Sequence, residues 1–195
     1  MTEIKSTLEK VLERAATMGH ASQEEIQAEE KVKEGMRMGA DYLQEKEIDF
    51  SPAQEATSGS AFVRKGMVQV FLRNIALPRD DDQQRADKAM QGLLDLGKGS
   101  GDLITVCKEM KVILNHYQQH KKEIRRQVED AFRQQMEHAL AQQTGQKGLG
   151  MKVDPVLHPK FQEEWSKIKT DLNVQYNSAL DQHKKLVAQR FGVVL

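Results

Sequence analysis

The chain has 195 residues, of which 38% are hydrophobic, 30% charged and 5% aromatic, with acids and bases balanced at 29 each. That balance gives no global attraction to nucleic acid or anionic lipid, and a single cysteine, Cys107, excludes an internal disulfide and a Cys-rich zinc site. The low apolar share suits long helices with one buried stripe better than the core of a compact enzyme.

Along the chain, residues 3–18 place Ile4, Leu8, Val11, Leu12 and Ala15 on one helical face. This segment is charged throughout, without the apolar stretch of a signal peptide. No apolar run approaches the roughly 20 residues of a bilayer span, so a soluble cytoplasmic protein is expected. Ser22 and Glu25 form a capping-box pattern ahead of a second helix, from about Gln23 to Glu47, with the stripe Ala28, Val32, Met36, Gly39 and Leu43. Gly35 and Gly39 within it have the spacing of a close helix crossing, here expected in a water-soluble core. The first fifty residues hold 12 acids and 7 bases and the last fifty hold 5 acids and 8 bases, so a weak attraction of the two ends for one another or for a neighbouring chain is expected.

Phe50-Ser51-Pro52 breaks and restarts the chain, with Ser51 suited to a cap and Pro52 to a first turn. Thr57-Ser58-Gly59-Ser60 reads as a flexible joint. Residues 61–77 are ambiguous: Val68, Val70 and Leu72 alternate as in a strand, whereas Phe62, Met67, Val70, Phe71 and Asn74 fit a helix. Without a neighbouring strand to pair its backbone, helix is the expectation. After Leu77-Pro78, the acidic run Asp80–Asp82 suits the start of a helix carrying Ala86, Met90, Leu93 and Leu94. The glycine-rich residues 97–101 are expected to end that helix and loosen the chain.

The second half is plainer. Leu103, Cys107, Met110, Leu114, Tyr117, Lys121, Ile124, Val128 and Ala131 alternate spacings of four and three, a heptad seam that then drifts to Phe132, Met136 and Leu140. Such a helix is roughly 60 Å long at 1.5 Å per residue. A last helix after His158-Pro159 carries Phe161, Trp165, Ile168, Leu172, Tyr176, Ala179, His183 and Leu186 on one stripe. The expected fold is all-α, with about four helices in residues 1–98 and a long antiparallel, coiled-coil-like hairpin in 102–195. The hairpin turns through a Gly/Pro-containing connector at 144–159.

Chemical motifs are sparse. Within GQKGLGMK, residues 145–152, Gly145 and Gly150 have the glycine spacing of a phosphate loop. However, Met151 stands where lysine belongs, Val153 supplies no hydroxyl, and the preceding segment is helical, so no nucleotide site is expected. His116 and His120 are four apart, a chelating spacing on a helix, but two ligands make no site and no third is evident. The basic run Lys121–Arg126 could follow a phosphate backbone, although Glu123 interrupts it and no aromatics interleave for stacking. Cys107 falls on the seam, where a thiol acts as a small apolar group.

With no catalytic constellation, cofactor site or metal site, the expected role is a non-enzymatic helical interaction protein, binding a protein partner or its own copies as a homo-oligomer. The candidate contact residues are Phe161, Trp165, Tyr117, Ile124, Val128 and Phe132. A nucleic-acid module using residues 121–126 and a helical-arm chaperone are the alternatives.

Overall fold

The computed structural model describes residues 23–79, 82–144 and 154–194. The expected helix at 3–18, the cap at Ser22, Asp80, Asp81 and the glycine loop at 145–152 lie outside them. Six α-helices and one short 3₁₀ turn make up the described fold, with no strand among the described residues: α1 Gln23–Leu43, α2 Ser51–Gln54, α3 Ser58–Asn74, α4 Gln84–Leu96, α5 Gly101–Thr144 and α6 Pro159–Arg190. The ambiguous stretch is therefore helix, and it is the centre of the core. Met67, Val68 and Phe71 on α3 are fully buried, with Ala89 and Leu93 of α4 beside them.

Helices α1 and α3 cross with their backbones in close approach. A Cβ built on Gly35 would stand 1.9 Å from the Val63 carbonyl oxygen, and one built on Gly66 would stand 2.1 Å from the Val32 carbonyl oxygen. Each glycine thus admits the other helix's backbone. At Gly39, one turn on, an added Cβ would stand 3.1 Å from Val70 Cβ. The Gly35/Gly39 spacing is a helix crossing in the core, as its sequence context suggested. Of the α1 stripe, only Gly39 is fully buried; Ala28, Val32, Met36 and Leu43 are half-buried.

Three local expectations are corrected. Residues 57–60 are not a joint: Thr57 caps α3, its hydroxyl oxygen accepting from the Ser60 N–H at 3.2 Å and lying 2.6 Å from the Ser60 hydroxyl. Ser51 is not the cap of α2 but its first residue, and its N–H donates to Asp49 Oδ1 at 2.9 Å. The second helix ends at Leu43 rather than near Glu47, because Glu45 takes a left-handed conformation (φ 63°) and the chain folds back, with the Lys46 N–H on the Asp41 carbonyl.

The glycine-rich residues 97–101 form a compact reversal, not a loose link. Lys98 and Gly99 both have positive φ, and the Gly99 N–H donates to the Leu94 carbonyl at 2.9 Å. Asp82 accepts the Gln84 N–H at 2.9 Å, the capping role expected of the acidic run. A polar cluster ties the helices together: the Tyr42 hydroxyl donates to Asp95 Oδ2 at 2.7 Å, Gln91 donates to Asp95 Oδ1, and Gln54 to the Asp95 carbonyl. Arg64 donates to the Ala53 and Glu55 carbonyls and so holds the end of α2. One continuous apolar cluster runs from these helices into Leu103, Cys107, Met110 and Leu114 of α5 and Leu180, Val187 and Ala188 of α6.

Candidate functional site

Helices α5 and α6, with 44 and 32 residues, are about 66 and 48 Å long at their rise per residue. Their contacts ascend α5 as they descend α6. Asp102 pairs with Arg190 at 2.8 Å and Glu109 with His183 at 3.2 Å. The Tyr117 hydroxyl donates to Asn173 Oδ1 at 2.7 Å, and its ring meets Tyr176 edge-on at 5.4 Å. Further out, the Arg125 guanidinium lies 5.8 Å from the Trp165 ring, and Phe132 meets Phe161 edge-on at 5.5 Å and His158 at 6.3 Å. The pair is antiparallel from base to tip.

The heptad seam changes character along this pair. Leu103, Cys107, Met110, Leu114 and Tyr117 are buried, whereas Lys121, Ile124 and Val128 are half-buried and Ala131 is exposed. The apolar face then moves to half-buried Phe132, Met136 and Leu140, following the drift in the sequence. The first group belongs to the apolar cluster shared with the N-terminal helices, of which α4 packs on α5; the second belongs to a two-helix arm beyond them. On α6 the expected stripe needs correction near its end: Leu186 is 51% exposed, and Leu180, Val187 and Ala188 are buried in its place. There the helix meets the N-terminal core as well as α5, so its buried face rotates away from the simple hairpin seam.

The candidate contact residues separate accordingly. Phe161 and Tyr117 are almost wholly buried within the hairpin and hold its two helices together. Trp165, Ile124, Val128 and Phe132 keep surface available. Asn173, which receives the Tyr117 hydroxyl, carries no signal in the sequence, since an asparagine on a helix flank is ordinary. His116 is exposed, and His120 turns its Nδ1 to the Tyr176 hydroxyl at 3.3 Å. Among the described residues, no three His, Cys, Asp or Glu side chains converge as metal ligands, and no helix is long and apolar enough to cross a membrane.

The basic run is engaged locally. Arg125 pairs with Glu129 at 2.7 Å and Arg126 with Glu123 at 2.9 Å. Lys121 lies 5.6 Å from the Tyr117 ring and donates to the Arg79 carbonyl at 3.4 Å. The hydrogen bond from Arg126 holds the Glu123 carboxyl below its ordinary pKa and raises that of Arg126 in turn. Burial pushes the Cys107 thiol up to about 11, so it is a neutral packing group at pH 7.

Residues 51–189 match the model of a family of unknown function, DUF6657. The chain belongs to this family. The DUF6657 segment takes in α2 to α5 and all but the last residue of α6, and hence both the core and the arm. Helix α1, whose glycines seat on α3, precedes it. No curated protein and no solved structure matches the chain.

Proposed function

We propose that this protein is a non-enzymatic helical interaction protein, a scaffold, adaptor or self-assembling subunit of the cytoplasm, and that it works through the α5–α6 arm. The observation that carries this reading is the change in the seam. Ile124, Val128, Phe132, Met136 and Leu140, with Trp165 and Ile168 opposite, remain half-buried, while the same seam is sealed at the base. A continuous apolar line covered by one neighbouring helix gains further burial from another. A second copy of the chain or a helical partner supplies that surface.

The basic run lends less support to a nucleic-acid module, because Arg125 and Arg126 are already paired with carboxylates of their own helix. A helical-arm chaperone would use the same apolar line but grip unfolded chains instead of a fixed partner.

Light scattering of the full chain over a concentration series tests the proposal. Expected is a dimer or larger species that falls to monomer mass in Ile168→Lys, with helicity by circular dichroism retained. A monomer at every concentration that also cross-links to no protein in an extract of its host would overturn it. A salt-sensitive mobility shift with DNA or RNA would favour the nucleic-acid alternative.

A further inference from the structure

A second feature lies away from the arm. Between the last turns of α3 and the C-terminal half of α6 is a cleft of about 380 Å³, walled by Gln69, Leu72 and Arg73 on α3 and by Asp181, Lys184 and Lys185 on α6. Each wall is one helical face, since these residues are three or four apart. Three cations and a single carboxylate therefore face the same space. Lys184 has only a loose ion pair with Asp181, at 3.6 Å, and its side chain is 16% exposed. Arg73 and Lys185 form no ion pair with any described residue. On the arm the pattern is the reverse: Arg125, Arg126 and Arg133 each hold a carboxylate of their own helix below 3 Å.

The wall also contains an unexplained polar atom. Gln69 Oε1 is buried without a hydrogen-bond donor, on a helix where the neighbouring Val68 and Leu72 belong to the core. A buried acceptor without a donor keeps the whole cost of its lost hydration. Gln69 itself is half-buried at the edge of the cleft, and its amide oxygen is the part turned away from water.

We infer that this cleft binds a small organic oxyanion, a carboxylate or a phosphate monoester on a short body. Arg73 and Lys185 take the charged head, with Lys184 beside them. Arg73 offers the planar fork that suits two oxygens of one head group. Leu72 and the exposed Val194, which also lines the cleft, receive the apolar part of the body. Turning the Gln69 amide into the cleft exchanges its unpaired burial for a hydroxyl donor on the ligand. The volume lies within the range of small-molecule sites.

Titration of the full chain, followed by amide NMR shifts in a chloride buffer of low ionic strength, tests this with three probes: inorganic phosphate, glycerol 3-phosphate and octanoate. Saturable shifts confined to residues 69–73, 181–185 and 193–194 are expected. An organic probe should bind more tightly than inorganic phosphate, and whichever of the two does so identifies the head group as phosphate or carboxylate. Arg73→Gln and Lys185→Gln should each weaken binding about tenfold, and Lys169→Gln, an exposed cation elsewhere on α6, should leave it unchanged. Gln69→Leu should raise the melting temperature of the free protein and reduce affinity for glycerol 3-phosphate. Shifts that never saturate, that spread over the lysines of the arm, or that survive Arg73→Gln undiminished would overturn the site.

Discussion

Replacing Gly35 by alanine adds one methyl group where the structure has no room for it. The new Cβ would stand 1.9 Å from the Val63 carbonyl oxygen, 2.7 Å from its carbon and 3.0 Å from its Cα, all backbone atoms of α3 that cannot swing aside. Bringing the nearest contact back to an ordinary distance of about 3.4 Å requires α1 and α3 to part by more than 1 Å, and a gap of that size forfeits about half or more of the dispersion across the crossing. Overpacking of this kind costs about 1–3 kcal/mol or more, against a gain of about 1 kcal/mol for alanine over glycine in a helix. Because the clash is with rigid backbone, the net expected loss is about 2 kcal/mol. Two glycines calibrate it. Gly39→Ala meets Val70 side-chain carbons at 3.1 and 3.3 Å, so its strain and helix gain nearly cancel. Gly59→Ala, with only Thr57 Oγ1 at 4.0 Å, should be neutral or stabilising. Urea denaturation followed by circular dichroism at 222 nm ranks the three. Gly35→Ala with a midpoint at or above that of Gly59→Ala would refute the crossing.

Lys98, in left-handed backbone at φ 52°, is strained where glycine is not. Lys98→Gly should therefore raise stability by about 0.5–1 kcal/mol, and the rise in melting temperature by calorimetry should be absent in Lys98→Ala, which keeps the Cβ. Tyr42→Phe removes the hydroxyl donated to Asp95 and should cost about 1 kcal/mol in the same denaturation assay. Burial, then the hydrogen bond and charge of Asp95, push the Tyr42 pKa well above its ordinary value. The neutral phenol is thus favoured in the folded chain. Its stabilisation is complete below the unfolded pKa of about 10 and is lost as pH rises through the higher folded value. Ultraviolet titration of the native chain against Tyr42→Phe should show no phenol lost from the ionisation near pH 10; a loss there would contradict the raised pKa of Tyr42. Cys107, with its thiol at about 11 and 5% exposed, should react with a thiol reagent at pH 8 only at the rate of opening, so rapid labelling of the native chain would contradict its place in the seam.

The long helices were legible because their signal is local. The alternation from Leu103 to Tyr117 matches the buried positions, and the drift to Phe132, Met136 and Leu140 matches the half-buried ones. Depth of burial was not legible. Leu114 and Val128 occupy equivalent seam positions two heptads apart, yet only Leu114 is sealed, because the apolar cluster of the N-terminal helices extends to it. That difference depends on contacts distant in sequence. The same cause explains why Leu186 is exposed and Val187 buried. The glycine pair on α1 pointed to a crossing, but its counterpart Gly66 was hidden in a stretch that fits strand and helix alike. Thr57 was missed as a cap because its serine and glycine neighbours suggest a flexible loop. The cleft beside Gln69 had no sequence signal, since α3 and α6 meet across more than a hundred residues.

The charges divide the hairpin in the same place as its seam does. At the base, besides the Lys184–Asp181 pair within α6, polar side chains join different elements: Asp102 to Arg190, Lys111 to Asp87 of α4, and Glu109 to the His183 imidazole. On the arm, the pairs of Arg125, Arg126, Arg133 and Lys167 all lie within one helix. Pairs of the second kind support each helix without fixing its neighbour. Tyr117, Asn173, Tyr176 and His120 stand at the boundary, and their hydrogen bonds and ring contacts set the register of α5 against α6. Beyond them the helices are held to one another by apolar contact and the Arg125–Trp165 stack. Local opening there exposes less buried apolar surface than opening of the base, so it is the cheaper motion. The helical partner proposed for the arm would therefore lie along Ile124, Val128 and Phe132 and leave the register below Tyr117 and the core under α3 intact.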